Sequence, residues 1–121
     1  MSSVAPVIKD LAPDDGSVKK FTWTLAGAAD TGEAIPFAQW ADRSVQFAGT
    51  WGGGTIVWQG SNDAGTTWFT LTDAQTTAIS KTADALEQVV EMTELARPKA
   101  TTQVTGVVVV CVARRQQPMR K

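Results

Sequence analysis

Histidine and tyrosine are absent from the 121 residues, and cysteine occurs once. Without histidine, Ser-His-Asp and Cys-His catalysis cannot be assembled, nor can zinc sites that need an imidazole. A single cysteine permits neither an internal disulfide nor a four-cysteine metal site. Cys111 lies in the apolar run Val107-Val-Val-Val-Cys-Val-Ala113 and reads as an inert buried thiol. Charge is also sparse, at 19% of residues with a net of -1, which argues against a nucleic-acid partner. The first ten residues lack the apolar core of a signal peptide, and no stretch is long enough for a membrane span. The expectation is a soluble protein made in a cytosol, with no membrane or nucleic-acid partner, no metal and no cofactor.

What is present is enough for one domain: 43% hydrophobic residues, five tryptophans and ten glycines. Residues 1–17 read as an extended arm, restricted by Pro6 and Pro13 and turned at Asp14-Asp15-Gly16, either frayed or docked on a neighbour. Period-two alternation then predicts strands. Phe21, Trp23 and Leu25 alternate with Lys20, Thr22 and Thr24; Val45 and Phe47 share a face; so do Ile56 and Trp58. Ile35-Pro36-Phe37, Trp68–Thr72 and Ala78–Ser80 read as short strands. Leu86–Met92 has spacing that also suits a helical turn, but its β-branched pair favours strand, ended by Arg97-Pro98. Val104–Ala113 is the most apolar strand, and an unbroken apolar run implies burial on both faces. The expected core is Phe21, Trp23, Val45, Phe47, Ile56, Trp58, Phe69, Leu71 and Val108. Seven or eight short strands between Gly/Asp/Ser turns describe an all-β antiparallel sandwich, with a jelly roll favoured. The expected organisation is an arm at 1–17, a β-sandwich domain at 18–113 and a basic tail at 114–121.

Among the motifs, Gly52-Gly53-Gly54 lacks the Lys-Ser/Thr ending of a phosphate loop and reads as a hairpin tip. Ser61-Asn-Asp63-Ala-Gly65-Thr-Thr67-Trp68 matches S-x-D-x-G-x-T-W, the Asp-box of sialidases and other β proteins. Asp63 can accept hydrogen bonds from turn amides, Gly65 can take a positive φ, and Trp68 can fold back as a plug. The match predicts a β-hairpin. A single box does not make a sialidase propeller. The carboxylate pairs, such as Asp14-Asp15, Asp30/Glu33 and Glu91/Glu94, fall mostly in expected turns, where solvated acids are the rule, not across a glycosidase cleft. Trp23 and Trp58 read as core, and Trp40 stays open. Trp51, beside the glycine loop, reads either as a stacking platform for a sugar or partner, or as a cap on one end of the sandwich. The basic residues Arg114, Arg115, Arg120 and Lys121 read as a solvated terminus or as an electrostatic docking tail. No catalytic residue is expected, and the chain reads as a non-enzyme.

Phe47–Asp73, which contains the glycine loop and the Asp-box, resembles a segment of small virion proteins of tailed bacteriophages. Leu95-Ala96-Arg97-Pro98 followed by a valine-rich closing strand is similar too, and the likeness covers about residues 18–113. The chain as a whole resembles the cement (decoration) proteins of short-tailed phages such as those of Bordetella. That resemblance implies a jelly roll on the capsid surface, clamping neighbouring major capsid proteins, with the major capsid protein as partner and a dimer or trimer on the shell. It carries over no catalytic residues. With both ends charged and proline-bearing, docking is expected to use the termini more than the sandwich faces. The alternative is a carbohydrate-binding or tail/adhesin β-sandwich module; a small hydrolase is disfavoured by the missing histidine.

Overall fold

In a β-strand successive side chains point to opposite faces, so alternating stretches can bury one face against a second sheet. The computed structural model, which describes residues 3–12, 17–27, 30–38, 40–89 and 91–115, realises this as two packed sheets and no helix among those residues. The strands are β1 (Ser3–Val4), β2 (Val7–Asp10), β3 (Val18–Leu25), β4 (Thr31–Gly32), β5 (Ile35–Pro36), β6 (Trp40–Thr50), β7 (Ile56–Ser61), β8 (Phe69–Thr70), β9 (Ser80–Lys81), β10 (Ala85–Gln88), β11 (Leu95–Ala100) and β12 (Gly106–Arg115). One sheet runs β10-β6-β12-β3-β2. The other runs β1-β4-β11-β7-β8, with β5 also on β11 and β9 also on β7. All pairs are antiparallel except β1 with β4. Taking β4/β5 and β8/β9 as broken single strands, β3 to β12 make eight successive segments. The first, third, sixth and eighth fall in one sheet and the others in the second. That interleaving is a jelly roll.

The core is aromatic where the sheets meet. Trp23 of β3 and Trp58 of β7 are fully buried and pack edge to face at 5.6 Å and 70°. Phe37 adds a tilted contact to Trp58 at 5.9 Å, and Phe21 meets Trp40 edge-on at 5.9 Å. Such pairs add about 0.5–1.5 kcal/mol beyond their burial. Trp40, open in the sequence, is core: it is 3% exposed, and its indole N–H donates to the Pro36 carbonyl at 3.0 Å. Gly32 permits the close approach, since a Cβ there would lie 2.6 Å from Pro98 Cδ and 2.7 Å from Trp23 Cδ1. Cys111 is buried, and burial pushes its thiol up to about 12. Along one side, Lys81 of β9 pairs with Glu87 of β10 at 2.6 Å and ties the two sheets together.

Four expectations change. Phe69 is 67% exposed and Val108 36% exposed, so neither belongs to the core. Val107, Val109, Cys111 and Ala113 of β12 point inward instead, and the run is buried on one face only. A run of four valines carries no alternation, so it could not reveal its own phase. The strand expected over Leu86–Met92 is confined to β10, and Val90 lies outside the described residues. Arg97-Pro98 does not end a strand but sits inside β11. Pro98 faces Trp58, whose N–H and carbonyl bond Ile79 and Leu71 on the other side. Its missing N–H falls between the two short partners β5 and β4, where no ladder bond is lost. Residues 3–10 of the expected arm are extended, and they hydrogen-bond to the domain's own sheets as β1 and β2. The expected turn at Asp14-Asp15-Gly16 lies outside the described residues.

The packing separates two aromatic positions sharply. Trp58→Ala should cost about 3–5 kcal/mol as a cavity mutation, whereas Phe69→Ala should stay within about 0.5 kcal/mol. Urea midpoints of the two variants, compared with the parent, check the difference.

Candidate functional site

The Asp-box residues come together as a locked turn between β7 and β8. Asp63 Oδ1 accepts from the Ser61 hydroxyl and the Thr67 N–H, both at 2.8 Å. Ser61 Oγ in turn accepts from the N–H of Gly65 at 3.0 Å. Ala64 and Gly65 have φ of 61° and 90°, and Thr66 N–H closes onto the Asp63 carbonyl at 3.3 Å. Two successive positive φ values across an i to i+3 bond mark the turn type that suits twisted hairpins. Trp68 folds back, donating its indole N–H to the Gly65 carbonyl at 3.0 Å. The Arg97 guanidinium lies 4.0 Å from the Trp68 ring centroid, with its Nε donating to Gln59 Oε1 at 3.0 Å. Glu94 and Asn62 stitch the turn to the next segment: Ala64 N–H donates to Glu94 Oε1, and Glu94 N–H donates to Asn62 Oδ1, each at 2.8 Å.

A second turn, missed in the sequence, repeats the device ten residues on. Asp73 Oδ1 accepts from the N–H of Gln75 at 2.9 Å and of Thr77 at 3.0 Å, with Thr76 at φ 63°. The signal was there. Asp73-Ala-Gln-Thr-Thr77 echoes Asp63-Ala-Gly-Thr-Thr67, with the same Asp-to-Thr spacing. Hydrogen bonds hold both carboxylates low. Asp63 sits at about 2, chiefly through the Thr67 N–H and then the Ser61 hydroxyl; Asp73 is lowered chiefly through the Thr77 N–H.

The expected partner-binding residues are scattered. Trp51 is half-buried against Phe47 at 6.4 Å, and its indole N–H donates to Asp84 Oδ1 at 2.9 Å, which also accepts from Gly49 N–H. It is thereby pinned at one end of the sandwich. Arg114 makes a forked ion pair with Asp42 across β12 and β6. Arg115 follows the register slip at the end of β12, where its N–H donates to the Ser17 carbonyl at 2.7 Å. Arg120 and Lys121 lie outside the described residues. Asp30, Glu91 and Glu94 of the expected carboxylate pairs are engaged with backbone. Glu91 accepts from Thr72 N–H and hydroxyl at 2.6 and 2.7 Å, Glu94 holds Ala64, and Asp30 accepts from Ala26 N–H at 3.1 Å. Among the described residues no group of three or more Asp, Glu or Cys could hold a metal ion, and no helix is long and apolar enough to cross a membrane. Sequence reasoning also missed Arg43, 6% exposed, whose guanidinium lies 4.5 Å from the Phe37 ring centroid and donates to the Val89 carbonyl at 3.4 Å. Burial lowers its affinity for its proton.

No family model and no curated protein matches this chain. Solved structures match it by fold. The SPBc2 prophage-derived protein YomS superposes with a TM-score of 0.61 at 13% identity, over 79% of this chain and 93% of that one. An oxalate oxidase in complex with glycolate matches with a TM-score of 0.49 at 15% identity, over 94% of this chain and 53% of that one. A cupin domain of an XRE-family transcriptional regulator from Enterobacter cloacae matches with a TM-score of 0.47 at 12% identity, over 93% and 98%. The likeness is one of fold. A prophage-derived protein shares the architecture.

Two measurements check the hairpin. Gly65→Val should destabilise the fold by roughly 1–3 kcal/mol, because a β-branched residue is strained at φ 90°. Asp63 has a folded-state pKa below its ordinary 3.8, so its stabilisation is present above that value and is lost as pH falls through about 2. Asp63→Asn should therefore flatten stability against pH between about pH 4 and 2, in part, because Asp73 titrates in the same direction.

Proposed function

We propose that this chain is a structural virion protein that binds the outside of a phage head and clamps neighbouring major capsid proteins. On this reading it catalyses no reaction and needs no cofactor. It sits on the capsid surface as a dimer or trimer and contacts neither nucleic acid nor membrane. The carrying observation is that residues 47–73, the stretch resembling virion proteins, form a hydrogen-bond-locked corner of a jelly roll, an architecture that a prophage-derived protein shares over 93% of its length. The carboxylates add support: Asp63, Asp73, Asp84, Glu91 and Glu94 all accept backbone N–H groups. They serve the frame, as a rigid binding module requires, and not an acid–base pair.

One observation favours the second reading, a carbohydrate-binding or tail module. Exposed Phe69 lines a hollow of about 220 Å³ with Asn62, Asp63, Thr67, Leu71 and Thr93 beside the Asp-box turn. A ring beside an amide and hydroxyls is sugar-binding chemistry. It takes the place of Trp40, which is buried, and Trp51, which is pinned.

The experiment is to incubate the purified chain with empty heads assembled from the source phage's major capsid protein and to quantify bound copies. The capsid reading expects saturable binding in fixed proportion to the capsid protein. No binding to heads, together with glycan-array binding lost in Phe69→Ala, would replace it with the second reading.

A further inference from the structure

An antiparallel sheet with one face in water ordinarily alternates apolar and polar residues, and an unbroken apolar strand belongs where both faces are covered. β12 breaks that rule. Its inward residues are buried, yet its outward positions are also valines: Val108, 36% exposed, and the half-buried Val110 and Val112. The register carries apolar residues from there to both edges of the sheet, with polar ones between them. Val7, Thr22, Val110, Gln46 and Leu86 stand in one row. Val7 is 71% exposed and Leu86 64%. The next row sets Val108 beside Thr24 and Ala48. On the opposite sheet Gln59, Arg97 and Lys99 stand outward beside Leu95 and Val57, and Val57 is covered at 7% exposed.

We infer that the outward face of the five-stranded sheet is the surface that docks on the major capsid protein, at an apolar patch flanked by carboxylates. This rests on the capsid reading above and moves the contact from the termini, since residues 3–10 are tied into the chain's own sheets and Arg114 is paired with Asp42. Charge identifies the partner's chemistry. Lys9 and Lys20 stand directly opposite each other on this face, and neither makes an ion pair among the described residues. Like charges directly opposite destabilise a strand pair, and an incoming carboxylate relieves them. A second copy turned face to face is poorly suited to supply it, because the outward positions of these five strands carry one carboxylate, Asp42, and Arg114 already holds it. Area points the same way. Five strands at about 4.8 Å and three side-chain rows about 7 Å apart make a face of roughly 500 Å², short of the ~800 Å² per partner of a stable pair. A shallow hollow of about 490 Å³ beside Ser44, Gln88, Val112 and the Arg114–Asp42 pair gives room for a protruding side chain.

The test uses the full chain and the same empty heads. Leu86→Lys with Val108→Thr places polar groups at two exposed positions. Lys9→Glu with Lys20→Glu reverses the charge. Lys99→Glu on the opposite sheet is the control. Far-ultraviolet circular dichroism and tryptophan fluorescence confirm folding of each. Both face variants should raise the dissociation constant for heads at least tenfold, and the charge reversal should also reduce its dependence on salt. The control should bind as the parent does. Parent-like binding by both folded face variants overturns the docking face and leaves the capsid reading standing. Failure of the parent to bind heads overturns that reading, and the docking inference with it. A parent dimer in sedimentation that Leu86→Lys dissolves overturns the choice of partner in favour of a second copy.

Discussion

β12 lies between β3 and β6 and is registered against both from Val107 to Arg114, so the phase of its pleat decides the two faces of the whole sheet. With Val107, Val109, Cys111 and Ala113 inward, the neighbouring strands must present Phe21, Trp23 and Leu25 on one side and Val45 and Phe47 on the other. Trp23 meets Trp58 of the second sheet, Phe37 just past β5 packs on the same ring, and the core closes. The same phase fixes what is left outside. A slip of one residue would exchange every side chain between core and solvent, and the aromatic inward set forbids it.

The second sheet sets shorter pieces around the six-pair ladder of β11 with β7, and turns close the ends of those pieces. Asp63 and Asp73 each gather N–H groups that would otherwise lack partners at the ends of β7, β8 and β9. Asn62 and Glu94 join the first turn to the segment that leads into β11. Lys81 and Glu87 then hold the sheets together along one side. The result is a frame in which Asp30, Asp63, Asp73, Asp84, Glu91 and Glu94 each accept backbone N–H groups.

Much of this was legible in the sequence. The alternation of Phe21-Thr-Trp23-Thr-Leu25 and of Val45 with Phe47 placed those residues inside, as observed. The Asp-box placed a tight hairpin at Ser61–Trp68. What escaped did so for physical reasons. The valine run has no polar residue to set its phase, so Val108 was assigned inward. β11 was hidden because proline ordinarily interrupts a strand, and only the gap between β5 and β4 makes Pro98 harmless. Phe69 looks like a core residue in any one-dimensional reading, but the strand carrying it has two residues and lies at the edge of its sheet. Ion pairs such as Arg114 with Asp42, 72 positions apart in sequence, carry no local signal at all.

On the proposal above, the jelly roll meets a phage shell through the outward face of β12 and its neighbours. The most direct measurement is a cryo-electron-microscopy reconstruction of heads saturated with the protein. Density for the domain is expected on the outer shell, with β12, β6 and β3 turned toward the capsid lattice and a capsid carboxylate beside Lys9 and Lys20. Domains bound through the Phe69 hollow or the chain ends, with the valine face open to solvent, would contradict it.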